Sequence, residues 1–559
     1  MIKKIFLGIA IPVVSIAAGR VYLQERPSTT FIDPMTYFSE FVSGQQNMTY
    51  EDTRISMIEP VIIKDDVIYV SNEFASLYID DAIFYDSVED ILTITNAAQV
   101  IRMNIGDAYY TINGEEHVLD FAIFERNETA YIPESYLEAN YPISFELGED
   151  ERLVVATDLQ TSKQLAKVTG KNVVIRTHPD KKQSIVDTLA TDSVIEVYGE
   201  EVDGYYRVRN ENGMIGYVDV DDVTFTGKTE VQTAKVYEPY PVSKPLNDKV
   251  KLVWDQMVSE PVHDLSATRY KNIGYANVIS PTWFEFADDQ GNLTNRGSTS
   301  YVQQAHALGL QVWPLISHNF VEWQWTREIL TSTEKRQNLI DNLITYATTY
   351  GVDGINIDIE NVAEDFSDEW VQFMRELYPQ LGALGLTVSV DIYIPSAWSA
   401  HYQRDKIGEV VDYFIVMAYD QHWSGSDEAG PVAAIPWVEE GILLNLQEVP
   451  SDKLVMGIPF YNRVWAETED GLETVAVSMY EANSRISSAG AQVVYDPETK
   501  LNYAEFNASD KLYKIWLEDA WAIELRLEII DKYDLAGYAG WKLGLETSDV
   551  WDKLSQFGE

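Results

Sequence analysis

The run Asp353-Gly354-Ile355-Asn356-Ile357-Asp358-Ile359-Glu360 alternates apolar and polar residues from Ile355 onward. On a β-strand, Ile355, Ile357 and Ile359 face one way, and Asn356, Asp358 and Glu360 face the other. Residues two apart on a strand have Cα atoms about 6.6 Å apart, so the carboxyl groups of Asp358 and Glu360 can approach and titrate together. If Asp358 holds the first negative charge, Glu360 is favoured in its protonated form near neutral pH. A protonated carboxyl is what general acid catalysis requires. An amide and two acids on the inner face of a buried strand are costly to leave unpaired.

Such a row needs a scaffold whose strands end at one mouth. Between residues 250 and 559 the runs VKLVWDQ, ANVISPTW, LQVWPLIS, VDGINIDIE, LTVSVDIYI, DYFIVMAYD, KLVMGIPFY and LAGYAGWKLG alternate with amphipathic stretches such as EKRQNLIDNLITYATTY. Eight strand-like runs separated by helical ones predict an α/β fold, a (β/α)8 TIM barrel. An open, doubly wound sheet ranks lower, because no Gly-rich phosphate loop follows any of these strands. Trp283, Trp423 and Tyr461, with Trp313, Trp323, Trp325 and Trp465, fall near predicted strand ends, where each serves equally as a sugar platform or as core packing. His318 and His422 lie near the same mouth but lack ligand spacing, so neither a metal site nor a cofactor is expected. The length between Tyr461 and Lys511 predicts an insertion before the eighth strand that walls the groove.

The chain has 559 residues, 41 basic and 89 acidic, giving a net charge of −48, and it has no cysteine. Disulfides, thiolate metal sites and thiol nucleophiles are therefore excluded. The acidic balance repels phosphate backbones, which argues against nucleic acid as a partner. Lys3 and Lys4 precede an apolar run from Ile5 to Gly19, the layout of a secretory leader. Residues 1–23 are read as a signal peptide or, through residues 5–23, a membrane tether. Residues 24–57 read as a tether, 58–158 as a small α+β domain, 161–225 as a small all-β barrel and 226–249 as a Pro-containing linker. A repeat of about 60 residues is visible in the second of these, IYVSNEFASLYIDDAIFYDSVEDILTIT against AYIPESYLEANYPISFELGEDERLVVAT, with Tyr69 matching Tyr131.

Residues 250–559 resemble glycoside hydrolase family 18, whose fourth barrel strand carries a DGxDxDxE motif. Met417-Ala418-Tyr419-Asp420 and Gly540-Trp541 match further features of that family. VISPTWFEF, DGINIDIENV, VMAYDQHW and GIPFYNRVW are similar to its cell-wall and spore-cortex fragment-lytic branch. The resemblance implies that Glu360 protonates the glycosidic oxygen, while Asp358 and Tyr419 hold the substrate's 2-acetamido group, which acts as nucleophile. It implies substrate-binding roles for Asp353, Asn356 and Asp420, and a sugar floor at Trp541. Asn356 departs from the motif by standing in place of an aspartate, and an amide there can still hydrogen-bond Asp358. The 60-residue repeat resembles the copper amine oxidase N-terminal-like domain, yet His117 is its lone histidine and no copper is assigned. The order NVVIRTHP, then GEEVDGYYRVRNENGMIGYV, resembles the bacterial Src-homology-3-like domain.

These readings imply an extracellular or wall-bound, monomeric retaining glycosidase that cleaves β-1,4 bonds beside N-acetylglucosamine in peptidoglycan. Chitin is the alternative substrate. A non-catalytic wall-glycan-binding protein is the alternative of another class, disfavoured by the presence of Glu360.

Overall fold

A computed structural model of the chain describes residues 26–38, 40–148, 152–232, 246, 248–258, 265, 270–469 and 471–558. The leader or anchor expected at residues 1–23 lies outside them. Among the described residues no helix is long and apolar enough to cross a membrane. The chain divides into two compact units, one holding residues up to Thr93 and Arg102–Tyr237, the other Ile94–Ile101 and Glu238–Glu559.

In the larger unit, eight parallel strands close into a barrel. They are β1 (Val250–Asp255), β2 (Val278–Phe286), β3 (Leu315–Ser317), β4 (Gly354–Asp358), β5 (Thr387–Tyr393), β6 (Tyr413–Met417), β7 (Leu454–Pro459) and β8 (Gly537–Trp541). The pairings β1 with β8 and β1 with β2 complete the ring. Seven of the strands fall within the runs expected from sequence and β2 extends three residues past its run to Phe286, because alternation of apolar and small or polar residues is what a strand lining a barrel requires. Leu252, Trp254, Val278, Leu315, Ile415 and Val455 pack together as one buried cluster. Ile355, Ile357 and Ile359 join a second cluster with Leu339, Leu343, Phe373 and Leu377 of the surrounding helices. The polar face of β4 is thereby turned into the barrel, as its alternation predicts.

The helices that hold β4 in place have local reasons to form. Thr333–Tyr350 is capped by Ser332, whose side chain accepts from Lys335 N, and stops at Gly351 with φ 70°. Ser367–Gly382 starts with Asp368 and Glu369 in its first turn, where negative charge favours the helix dipole, and buries Phe373, Met374 and Leu377.

Between β7 and β8 the chain inserts a five-stranded sheet and the helix Met479–Ala489. Its two roots are clasped together: Asn462 Nδ2 donates to Glu518 O at 3.0 Å, and Glu518 N donates to Asn462 Oδ1 at 2.7 Å.

In the first unit the repeat is real in three dimensions. Strand Val67–Ser71 leads into helix Asn72–Tyr78, and strand Thr129–Pro133 leads into helix Glu134–Asn140. The two strands pair antiparallel, with Val70 opposite Ile132, so equivalent segments of the repeat face each other. Residues 164–228 form a separate seven-stranded sheet. The expectation of an unstructured tether over residues 24–57 is corrected in part. Asn47–Tyr50 pairs in parallel with Leu153–Ala156, and Phe38 and Phe41 are buried with Val168, Ile175 and Val208. Strands of four and two residues and a single helical turn are too short to show a period in sequence, which is why they escaped that reading.

Candidate active site

A cavity of about 550 Å³ opens at the C-terminal ends of the barrel strands, lined among others by Trp254, Thr282, Ser317, Asp358, Glu360, Asp391, Tyr419, Asp420 and Trp541. Asp358 ends β4 and Glu360 follows it two residues later, so the inward alternation of the strand delivers both to this mouth.

Glu360 is held on several sides. Tyr393, at the end of β5, donates its hydroxyl to Glu360 Oε2 at 2.5 Å, and Tyr402 donates to the Glu360 carbonyl at 2.5 Å. The backbone N–H of Glu360 donates to His318 Nδ1 at 3.4 Å. Burial holds His318 near a pKa of about 4, so the ring is neutral and free to accept. Burial also pushes the Glu360 carboxyl above its ordinary range; the Tyr393 hydroxyl opposes this by stabilising the carboxylate, and Asp420 adds to it.

Asp358 is buried, and among the described residues its Oδ1 has no hydrogen-bond partner. Its pKa lies well above the usual carboxylate range, first through burial and then through the charges of Glu360 and Asp391. Tyr419 is likewise raised by burial and by Asp391, so its hydroxyl remains a donor at neutral pH. Gly457 on β7 permits this placement: a Cβ there would meet Val416 O at 2.7 Å and the Tyr419 ring at 3.1 Å. Asp420 has φ 57°, accepts the Tyr461 hydroxyl at 2.5 Å and has Arg463 3.5 Å away. Trp541 meets Trp254 edge to face, with ring centroids 5.9 Å apart.

Other expected site residues lie elsewhere. Asp353 is at the opposite end of β4, where Oδ2 accepts from Val312 N at 2.8 Å and meets His306 Nε2 at 2.8 Å. The whole five-residue strand lies between it and Glu360, so it does not reach the cavity. Trp283 is fully buried against Tyr301 and Tyr350, since an outward-facing position on β2 packs on helices. Trp423 is 55% exposed on the loop after β6 and does not line the cavity. Tyr461 is buried and acts on Asp420 from behind.

Asn356 is also withdrawn from the cavity, with 0% exposure. Its Oδ1 accepts from Trp254 Nε1 at 2.8 Å and Ser280 Oγ at 3.2 Å; its Nδ2 donates to Ser389 Oγ at 3.1 Å and Asp391 Oδ1 at 2.8 Å. The expected bond from Asn356 to Asp358 is replaced by one to Asp391 on the neighbouring strand. Asn356 sits opposite Ser389 in the β4–β5 register, which points both toward the same interior.

Sequence reasoning missed Asp391 and Tyr393. The signal was present: Ser389, Asp391 and Tyr393 alternate with Val388, Val390 and Ile392 just as the acids of β4 alternate with isoleucines. Phe320, 66% exposed at the cavity edge and 4.3 Å from the His318 ring, was missed too. Among the described residues no group of three or more His, Asp or Glu side chains is arranged to hold a metal ion.

The fold and the mouth define a (β/α)8-barrel protein with an acidic, aromatic-floored cleft. Residues 322–546 match the family model for glycosyl hydrolases family 18. Residues 49–156 match the copper amine oxidase N-terminal domain and residues 171–224 the bacterial SH3 domain. A cortical fragment-lytic enzyme of Bacillus subtilis is 27% identical over 238 residues, covering 41% of this chain and 55% of that protein. An endochitinase of Metarhizium robertsii is 25% identical over 225 residues, covering 34% of this chain and 52% of its own. The chain spans about half the length of several of these curated relatives. The spore cortex-lytic enzyme SleL of Bacillus megaterium shares the fold, with a TM-score of 0.51 at 17% identity over 69% of this chain and 91% of that one.

Proposed function

We propose that the chain is an exported retaining glycosidase that cleaves β-1,4 bonds beside N-acetylglucosamine in peptidoglycan. The observation that carries this reading is Glu360 itself: a cavity-lining carboxyl whose pKa is raised by burial and whose orientation is fixed by Tyr393.

Glu360 gives its proton to the glycosidic oxygen as the C1–O bond breaks. The carbonyl oxygen of the 2-acetamido group attacks C1 and forms an oxazolinium ion, so no enzyme nucleophile is needed. Asp358 accepts the acetamido N–H through its unpartnered oxygen, and Tyr419 donates to the acetamido carbonyl. The Glu360 carboxylate then takes a proton from water as that water opens the ring, with configuration retained. Trp541 stacks on the apolar face of the sugar. Asp391 supports the pair by holding negative charge away from Asp358 until the positive intermediate forms.

Action on the wall is supported by the secretory layout of residues 1–23, by the bacterial SH3 domain and by the similarity to a cortical fragment-lytic enzyme. Chitin is the second substrate reading, favoured by the similarity to an endochitinase and by identical acetamido chemistry. Mass spectrometry of products from peptidoglycan and from chitin oligosaccharides, for the wild type and Glu360→Gln, tests both. New reducing N-acetylglucosamine ends from peptidoglycan, absent with the variant, are expected. Cleavage of chitin alone would move the assignment to a chitinase, and binding without products from either would leave a glycan-binding protein.

A further inference from the structure

Among the described residues lining the cavity, Arg296 alone carries a fixed positive charge, against the carboxyl groups of Glu285, Asp358, Glu360, Asp391 and Asp420. Its backbone is anchored. Strand Leu293–Asn295 pairs antiparallel with Phe284–Phe286, and Arg296 N donates to Trp283 O at 3.0 Å. The side chain therefore leaves a hydrogen-bonded hairpin on β2, and holding its head at the cavity costs less ordering entropy than from a free loop.

The guanidinium is loosely paired. Its Nη2 lies 3.6 Å from Glu285 Oε2, beyond hydrogen-bond reach, and the side chains are 24% and 29% exposed. Glu285 is itself drawn aside, since its Oε1 accepts from Asn319 Nδ2 at 3.3 Å. A guanidinium has five N–H donors in a planar fork that fits a carboxylate with two parallel bonds. Among the described residues no partner completes that fork.

A net charge of −48 repels an anionic polymer, so a cleft that takes one needs a local cation within roughly a Debye length, about 10 Å at 0.1 M salt. Chitin is neutral and offers a guanidinium hydrogen-bond acceptors but no charge to pair with. Peptidoglycan strands carry a lactyl group on every second sugar, ending in a carboxylate that is either free or amide-linked to an acidic stem peptide. We propose that Arg296 binds a carboxylate of the substrate and so selects acidic wall glycan over chitin. The inference rests on the glycosidase reading of the same cleft.

The full chain and its Arg296→Gln and Arg296→Lys variants would be assayed on three substrates of equal sugar number: stem-free wall glycan, stem-bearing wall glycan and chitin oligosaccharide. Arg296→Gln is expected to lose about tenfold or more in kcat/KM on one acidic glycan beyond any loss on chitin, mainly through KM, as a charge-assisted hydrogen bond is worth that much. Arg296→Lys should recover part of it. Loss on the stem-free glycan assigns the lactyl carboxylate; loss confined to the stem-bearing one assigns the peptide. Equal losses on all three, or none, would overturn the proposal. Binding to the Glu360→Gln protein, with and without Arg296→Gln, reads the same contrast without turnover. A chain that cleaves nothing yet loses acidic-glycan affinity with Arg296 keeps this inference and loses the hydrolase; equal affinities in both backgrounds, or no glycan binding at all, overturn it.

Discussion

Asn356 Nδ2 donates to Asp391 Oδ1 at 2.8 Å, so an amide on β4 and a carboxyl on β5 meet inside the barrel. The pair explains the departure from the acidic row. With a carboxyl already supplied by β5, an aspartate at 356 would oppose two acceptors where a donor now sits.

Asn356→Asp is therefore expected to destabilise the fold by about 1–3 kcal/mol, the cost of a buried acceptor without its donor. The new buried carboxyl would have a raised pKa, so the folded state would bind more protons than the unfolded one above the ordinary carboxylate range. Its penalty grows as pH rises. Chemical denaturation at pH 5 and pH 8 should show a larger loss at pH 8; an equal or smaller one would contradict the pairing.

Asp391→Asn should act in the opposite direction on stability. Burial holds the Asp391 pKa well above the usual range, with Asn356 opposing and Glu360 adding to the shift. Between the unfolded and folded pKa values the native state holds the extra proton, so stability falls as pH rises through that window. Removing the carboxyl removes that fall. The variant is expected to gain in Tm relative to wild type as pH increases, while kcat falls through the weakened support of Asp358 and Tyr419.

The alkaline limb of kcat/KM should follow Glu360, since activity needs its proton. Tyr393→Phe removes a hydrogen bond that favours the carboxylate, and should move the limb to higher pH. Asp420→Asn removes a neighbouring negative charge and should move it to lower pH. Initial rates across pH for the three proteins check both directions. Shifts of the same sign in both variants would count against Glu360 as the titrating acid.

Glu518 and Arg526 form a fully buried ion pair at 2.7 Å, and burial raises the Glu518 pKa to about 7 despite the arginine. Glu518 also closes the clasp with Asn462 at the root of the insertion. Arg526→Ala leaves a buried carboxyl without its counter-charge and should cost about 3–5 kcal/mol in urea denaturation. A loss under about 1 kcal/mol would show that the pair contributes little.

The barrel was legible because eight apolar runs each carry a strand's alternation, and periodicity survives without knowledge of neighbours. Glu360, Asp358, Tyr419, Asp420 and Trp541 reach the cavity because position at a strand's end is itself a sequence property. Asp353 does not, because it precedes β4 and so stands at the strand's other end; Trp283 and Trp423 do not, because which side of the barrel wall a residue takes and where a loop runs depend on register and loop path. The two short strands before residue 57 were invisible for want of length.

By itself the sequence determined the strand count, the inward turn of Asn356, Asp358 and Glu360, and the net charge. Only the tertiary structure decided that Asn356 bonds Asp391, that Tyr393 orients Glu360 and that Arg296 is the one arginine or lysine among the described residues lining the cavity. Alternation along one strand fixes which face a side chain takes, whereas its partner on another strand is set by closure of the ring.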